Sequence, residues 1–118
     1  MKIKGNAKTI VRGKKAKARN PASLEKLAGT LRIHLADLRS RYGVRSLGLF
    51  GSYVRGEQNR RSDLDVLVEF DNGDLTLIQF IALENELSEL LGVKVDLVER
   101  SALKPAIGRH ILQEVVTI

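Results

Sequence analysis

The stretch LGLFGSYVRGEQNRRSDLDVLVEF, Leu47 to Phe70, decides how the rest of this chain is read. It opens with a short apolar run ending at Gly51-Ser52 and closes with Asp63-Leu64-Asp65 inside a second apolar run, with ten residues between Ser52 and Asp63. Side chains alternate between faces along a strand. Leu64, Val66, Val68 and Phe70 therefore form one apolar face, while Asp63 and Asp65 project together from the other. Two neighbouring carboxylates repel and desolvate each other, a cost that a divalent cation removes. Taken alone, such a pair is more often a solvated strand face. The Gly-Ser turn upstream and a third carboxylate downstream shift the balance.

That third carboxylate is Asp96, in Val93-Lys94-Val95-Asp96-Leu97-Val98. Val93, Val95 and Leu97 share one face of this second strand, and Lys94, Asp96 and Val98 the other. If the two strands are neighbours in one sheet, the three aspartates converge. Hard oxygen ligands of this kind suit Mg²⁺ or Mn²⁺, which complete their coordination with water and substrate phosphates. Glycine allows close backbone approach to a phosphate, and serine adds a hydroxyl donor. The combination reads as metal-assisted phosphoryl or nucleotidyl transfer.

GSYVRG, the spacing that follows it, SDLDVLV and the later VDLV resemble the signature of the minimal nucleotidyltransferases, in the DNA polymerase β-like nucleotidyltransferase superfamily. The resemblance runs from about Leu47 to the C-terminus. Tyr53-Val54 departs from the family pattern, which has a small residue before Arg55, but the catalytic positions are intact. The resemblance implies a single-domain α/β nucleotidyltransferase fold, a small mixed sheet flanked by helices. It implies that Asp63 and Asp65 bind two Mg²⁺ ions together with the phosphates of ATP. Asp96 completes the metal site beside the acceptor, and Gly51 and Ser52 hold the β- and γ-phosphates. It further implies AMP transfer to a hydroxyl on a HEPN-type toxin, this chain being the MNT-type antitoxin of the pair. The rival expectations are a non-catalytic antitoxin that acts by binding alone, and nucleotidyl transfer to RNA or a small molecule. Arg55 admits two readings: a guanidinium matched to phosphate, or a structural residue holding Asp63 or Asp65 in place.

The 118 residues make one domain, with a core in residues 21–118. No apolar run approaches the ~20 residues that span a bilayer, and the absence of cysteine excludes a disulfide framework and thiolate metal sites. A cytoplasmic setting is expected. The net charge of +6 belongs to residues 1–20, which hold eight Lys/Arg and no acid, against twelve basic and fourteen acidic residues in the remainder. Such a basic tail could hold nucleic acid. It lacks aromatics to stack on bases, and a flexible, solubilising extension is the favoured reading.

Asn20-Pro21 reads as a helix start, followed by Leu24, Leu27, Ala28, Leu31, Leu35 and Leu38 at helical spacing and a stop at Gly43. Leu47–Phe50 is the expected first strand, and Tyr53–Gly56 the first turn of a short helix. Asp74 or Thr76 caps a helix in which Leu77, Phe80, Ile81, Leu83, Leu87, Leu90 and Leu91 spread over a wide apolar face. That width suits burial on two sides, or contact with a partner or a second copy of the chain. Ser101 is expected to cap a last helix with Pro105 in its first turn and Ile107, Ile111 and Leu112 facing the core. His34 and His110 are assigned no role.

Overall fold

The computed structural model describes residues 23–71 and 75–118. The expected tail (1–20) and the expected helix start at Asn20-Pro21 lie outside them. Helix α1 (Leu24–Tyr42) is capped instead by Ser23, whose hydroxyl accepts from the Lys26 N–H, and it ends at Gly43 as its sequence predicts. Strand β1 (Val44–Phe50), the one-turn helix α2 (Ser52–Arg55), strand β2 (Leu64–Phe70), helix α3 (Leu77–Leu91) and strand β3 (Val95–Glu99) follow. A 3₁₀ turn (Arg100–Ala102), helix α4 (Pro105–Glu114) and the two-residue strand β4 (Val116–Thr117) complete the chain.

The sheet order is β3-β2-β1-β4. Strands β2 and β3, joined through α3, are parallel, and β1 runs antiparallel to both β2 and β4. This is the expected mixed sheet with a βαβ unit inside it. Leu64, Val66 and Val68 are fully buried, as their alternation predicts, and Val95 and Leu97 continue that face on β3. Helix α1 packs on β1 and against α3, which packs on β3. Strand β1 reaches three residues further back than Leu47, and a register shift between Val44 and Ser46 lets Val44 and Leu47 both turn inward despite odd spacing.

Helix α3 begins with a full capping box: the Thr76 hydroxyl accepts from the Gln79 N–H, and the Gln79 side chain accepts from the Thr76 N–H. Replacing Thr76 by alanine is expected to lower stability by about 1 kcal/mol and the melting temperature by roughly 5 °C, read in a thermal melt. The apolar face of α3 is narrower than expected. Leu83, Leu87 and Leu91 are buried, whereas Leu77, Ile78 and Ile81 stand 74%, 81% and 46% exposed. The N-terminal turns of α3 therefore carry apolar side chains that the domain does not cover.

Two expectations for the C-terminus fail. Ser101 lies within the 3₁₀ turn and bonds Glu99, while α4 starts at Pro105 with no side-chain cap. Proline at the first helical position has its φ preset for the helix and no N–H to leave unpaired there. On α4 only Ile111 is buried; Ile107 and Leu112 are 52% and 41% exposed, because a single edge of this helix meets the domain. Among the described residues, no helix is long and apolar enough to cross a membrane.

Candidate active site

The end of β1 and the starts of β2 and β3 meet at one end of the sheet. Phe50 is in register with Asp65, and Asp65 with Asp96, so one row across three strands carries two aspartates on the face opposite α1 and α3. Asp63 stands one step outside β2, on the same side as Asp65 by alternation. The expected convergence is thus a registered pair, Asp65 and Asp96, with Asp63 beside it.

The electrostatics are those of a crowded anionic site, which the Arg55 charge offsets only in part at Asp65. Burial pushes the Asp65 carboxyl up to about 6, and the charges of Asp96 and then Asp63 push in the same direction. Among the described residues, none of the three forms a salt bridge, although Asp37, Glu57, Glu69, Asp71, Glu86 and Glu114 all do. Nor do three acidic or imidazole groups among the described residues close into a metal-holding cluster. Neighbouring carboxylates repel one another, a cost that a divalent cation removes. The donor set fits a hard divalent cation: oxygen ligands only, one of them held partly buried at an electrostatic cost.

Against this row sits the turn Gly51-Ser52. Gly51 is buried and adopts φ 82° and ψ −155°. A β-carbon placed there would lie 1.9 Å from Asp65 Oδ2, so the Asp65 carboxylate rests directly on the glycine backbone. Glycine was expected at this turn for the sake of a phosphate. The structure adds a second reason, which is room for the aspartate. Ser52 starts α2, and its hydroxyl has no hydrogen-bond partner among the described residues. At the departure from the family pattern, Tyr53 is buried in the core and Val54 packs against it, which accounts for large side chains at both positions.

Arg55 pairs with neither Asp63 nor Asp65. Its Nε donates to Glu57 Oε1 at 2.9 Å, and its Nη1 donates to both oxygens of Glu114 at 3.1 and 3.2 Å. Glu114 Oε2 also accepts the Gly51 N–H at 2.7 Å. That backbone donor, and after it the Arg55 side chain, holds the Glu114 carboxyl below its usual range. Glu114 lies 63 residues from Gly51 and was not singled out in the sequence. Nothing in ILQEVVTI distinguishes it from any other acid at a helix end.

The nucleotidyltransferase domain family matches residues 31–118 of this chain. The protein adenylyltransferase MntA of Thermococcus cleftensis is 48% identical over 96 residues, which are 81% of this chain and 96% of that protein. A solved structure described as a minimal nucleotidyltransferase superposes with a TM-score of 0.70 at 36% identity, over 84% of this chain and 99% of that one. A toxin–antitoxin structure containing AMP-PNP superposes with a TM-score of 0.59 at 26% identity, over 79% of this chain and 69% of that one.

Proposed function

Since this chain belongs to the nucleotidyltransferase domain family and is an enzyme of that kind, we propose that it is a metal-dependent protein adenylyltransferase. It transfers AMP from ATP to a hydroxyl on a HEPN-type toxin and acts as the antitoxin of that pair. The single observation that carries the reading is the registered pair Asp65 and Asp96, free of any salt bridge among the described residues, beside a glycine-serine turn. The name of the Thermococcus relative and the AMP-PNP in a toxin–antitoxin neighbour support the donor and the setting. The uncovered Leu77, Ile78 and Ile81 give such a partner an apolar surface to bury.

Asp63, Asp65 and Asp96 would hold one or two Mg²⁺ ions, with Mn²⁺ as the alternative of like preference. When bound, the metal supplies Lewis-acid neutralisation of the triphosphate charge. The protein's own groups do the remainder. The Ser52 hydroxyl and the Nη2 edge of the Arg55 guanidinium, which has no partner among the described residues, hold the β- and γ-phosphates, fixing the α-phosphorus for in-line attack. Asp96, exposed at the rim, takes the proton of the attacking hydroxyl. The acceptor oxygen bonds to the α-phosphorus as the bond to the bridging oxygen breaks, and pyrophosphate leaves.

The test is incubation with ATP labelled at the α-phosphate, Mg²⁺ and the toxin encoded beside this chain. Label is expected on the toxin and is lost when EDTA removes the metal. A toxin bound and silenced without label would replace the enzyme reading with an antitoxin that works by cover alone. Label on RNA would move the acceptor.

A further inference from the structure

Glu114 has no part in the chemistry above, yet it holds Arg55, which that chemistry uses, and Gly51, which precedes Ser52 in the turn. It is the last residue of α4, at the end of the helix where the backbone dipole disfavours an acid. Its side chain is 19% exposed, and the carboxylate bridges the Gly51 N–H and the Arg55 guanidinium. A partly buried acid in that position needs compensation, and here the turn and the arginine provide it.

What the contact does to Arg55 is the informative part. A guanidinium is a planar fork with five donors in fixed directions. Glu57 takes the Nε side and Glu114 takes Nη1, so two carboxylates set its plane and leave the Nη2 edge without a partner among the described residues. The positive charge of Arg55 already acts on Asp65. Released from Glu114, the arginine has Asp65 to turn toward, and an ion pair there would consume a ligand and a phosphate donor at once. The same carboxylate pins Gly51, which fixes where Ser52 begins α2.

We infer that Glu114 is a positioning residue for nucleotide binding, holding Arg55 off the aspartates and the Gly51-Ser52 turn in place so that both face the triphosphate. This rests on the reading that Ser52 and Arg55 hold the phosphates. Glu114 acts through Arg55 and touches no substrate.

The experiment measures ATP binding to the full chain in Mg²⁺ by calorimetry, with a thermal melt of each variant. Glu114→Gln keeps an acceptor for the Gly51 N–H but loses the charge that orients Arg55. It is expected to raise the Kd for ATP about tenfold while the melting temperature stays within a few degrees. Arg55→Ala weakens binding by itself, and adding Glu114→Gln to it changes the Kd by less than about twofold. Arg55→Lys offers a second route, since one ammonium cannot serve Glu114, Glu57 and a phosphate together. It too is expected to bind ATP about tenfold more weakly. Binding by Glu114→Gln that equals or exceeds wild type overturns the inference and makes the carboxylate a bystander or a competitor of phosphate. Full additivity with Arg55→Ala overturns it as well, as does wild-type affinity in Arg55→Lys. A wild-type chain that fails to bind ATP removes the proposed function itself, which separates the two failures.

Discussion

Asp65→Asn is expected to abolish AMP transfer while raising the melting temperature of the metal-free protein. The two effects point in opposite directions because one carboxylate is responsible for both. In the folded chain the Asp65 carboxyl is pushed up to about 6, first by burial and then by Asp96 and Asp63, from an ordinary value of 3.8. The folded state therefore binds more protons than the unfolded state between about pH 4 and 6. Stability is fully present below the unfolded value and is lost as pH rises through about 6. Above that pH the metal-free fold carries an ionised group it disfavours. Asparagine removes the charge at nearly the same volume, so at pH 7.5 with EDTA the variant should melt roughly 3–8 °C higher, a gain of about 1 kcal/mol after solvent screening. At pH 5 the difference should shrink. Adding Mg²⁺ should stabilise wild type and leave Asp65→Asn unchanged, because a ligand that binds only the folded state stabilises it. Transfer should fall about 10³-fold or more in Asp65→Asn, and in Asp63→Asn likewise. Folded Asp65→Asn protein with undiminished transfer would remove the aspartates from the chemistry. A variant that melts lower than wild type in EDTA would remove the electrostatic account.

The part of this site that sequence reveals is the part written in local periodicity. Strand alternation puts Asp63 and Asp65 opposite Leu64, Val66 and Val68, and the same rule separates Asp96 from Val95 and Leu97. The register of β2 with β3 agrees with both. Helix limits at Gly43 and Thr76 are likewise local, because the capping groups sit within a few residues of the backbone groups they pair with. Family membership followed from the order of these motifs and stands on the match over residues 31–118. The partners of Arg55 could not be read in this way. A guanidinium can meet any carboxylate the fold brings within reach, and Glu114 arrives from the far end of the chain by way of α4. The apolar positions of α4 misled for a related reason. Ile107 and Leu112 have helical spacing suited to a core, but a helix that touches the domain along one edge buries only Ile111. Periodicity identifies a face without saying whether anything lies against it.

Gly51→Ala should produce the largest loss of stability among substitutions near the site, and a loss of transfer beyond what that destabilisation explains. At φ 82° and ψ −155° the residue occupies a region essentially confined to glycine. The added methyl would also lie 1.9 Å from Asp65 Oδ2, 2.9 Å from its Cγ and 3.3 Å from its Cβ. Rotation of Asp65 can relieve the first two contacts, but the third involves an atom fixed by β2, so the turn and the strand must separate. The expected cost is about 2–4 kcal/mol, a fall of about 10 °C or more in melting temperature. Gly56→Ala isolates the part that is backbone strain alone. Gly56 also has positive φ, 72° with ψ 23°, but a β-carbon there meets nothing within 4 Å. Its expected cost is about 1 kcal/mol, with transfer retained. The comparison is made by thermal melts and by transfer rates at a temperature where both variants are folded. Rates lost in Gly51→Ala and kept in Gly56→Ala would mean that the glycine serves Asp65: the turn must lie against the carboxylate for the metal ligands and the phosphate donors to share one place. Equal rates in the two variants would reduce Gly51 to a turn residue and leave the close approach without a functional consequence.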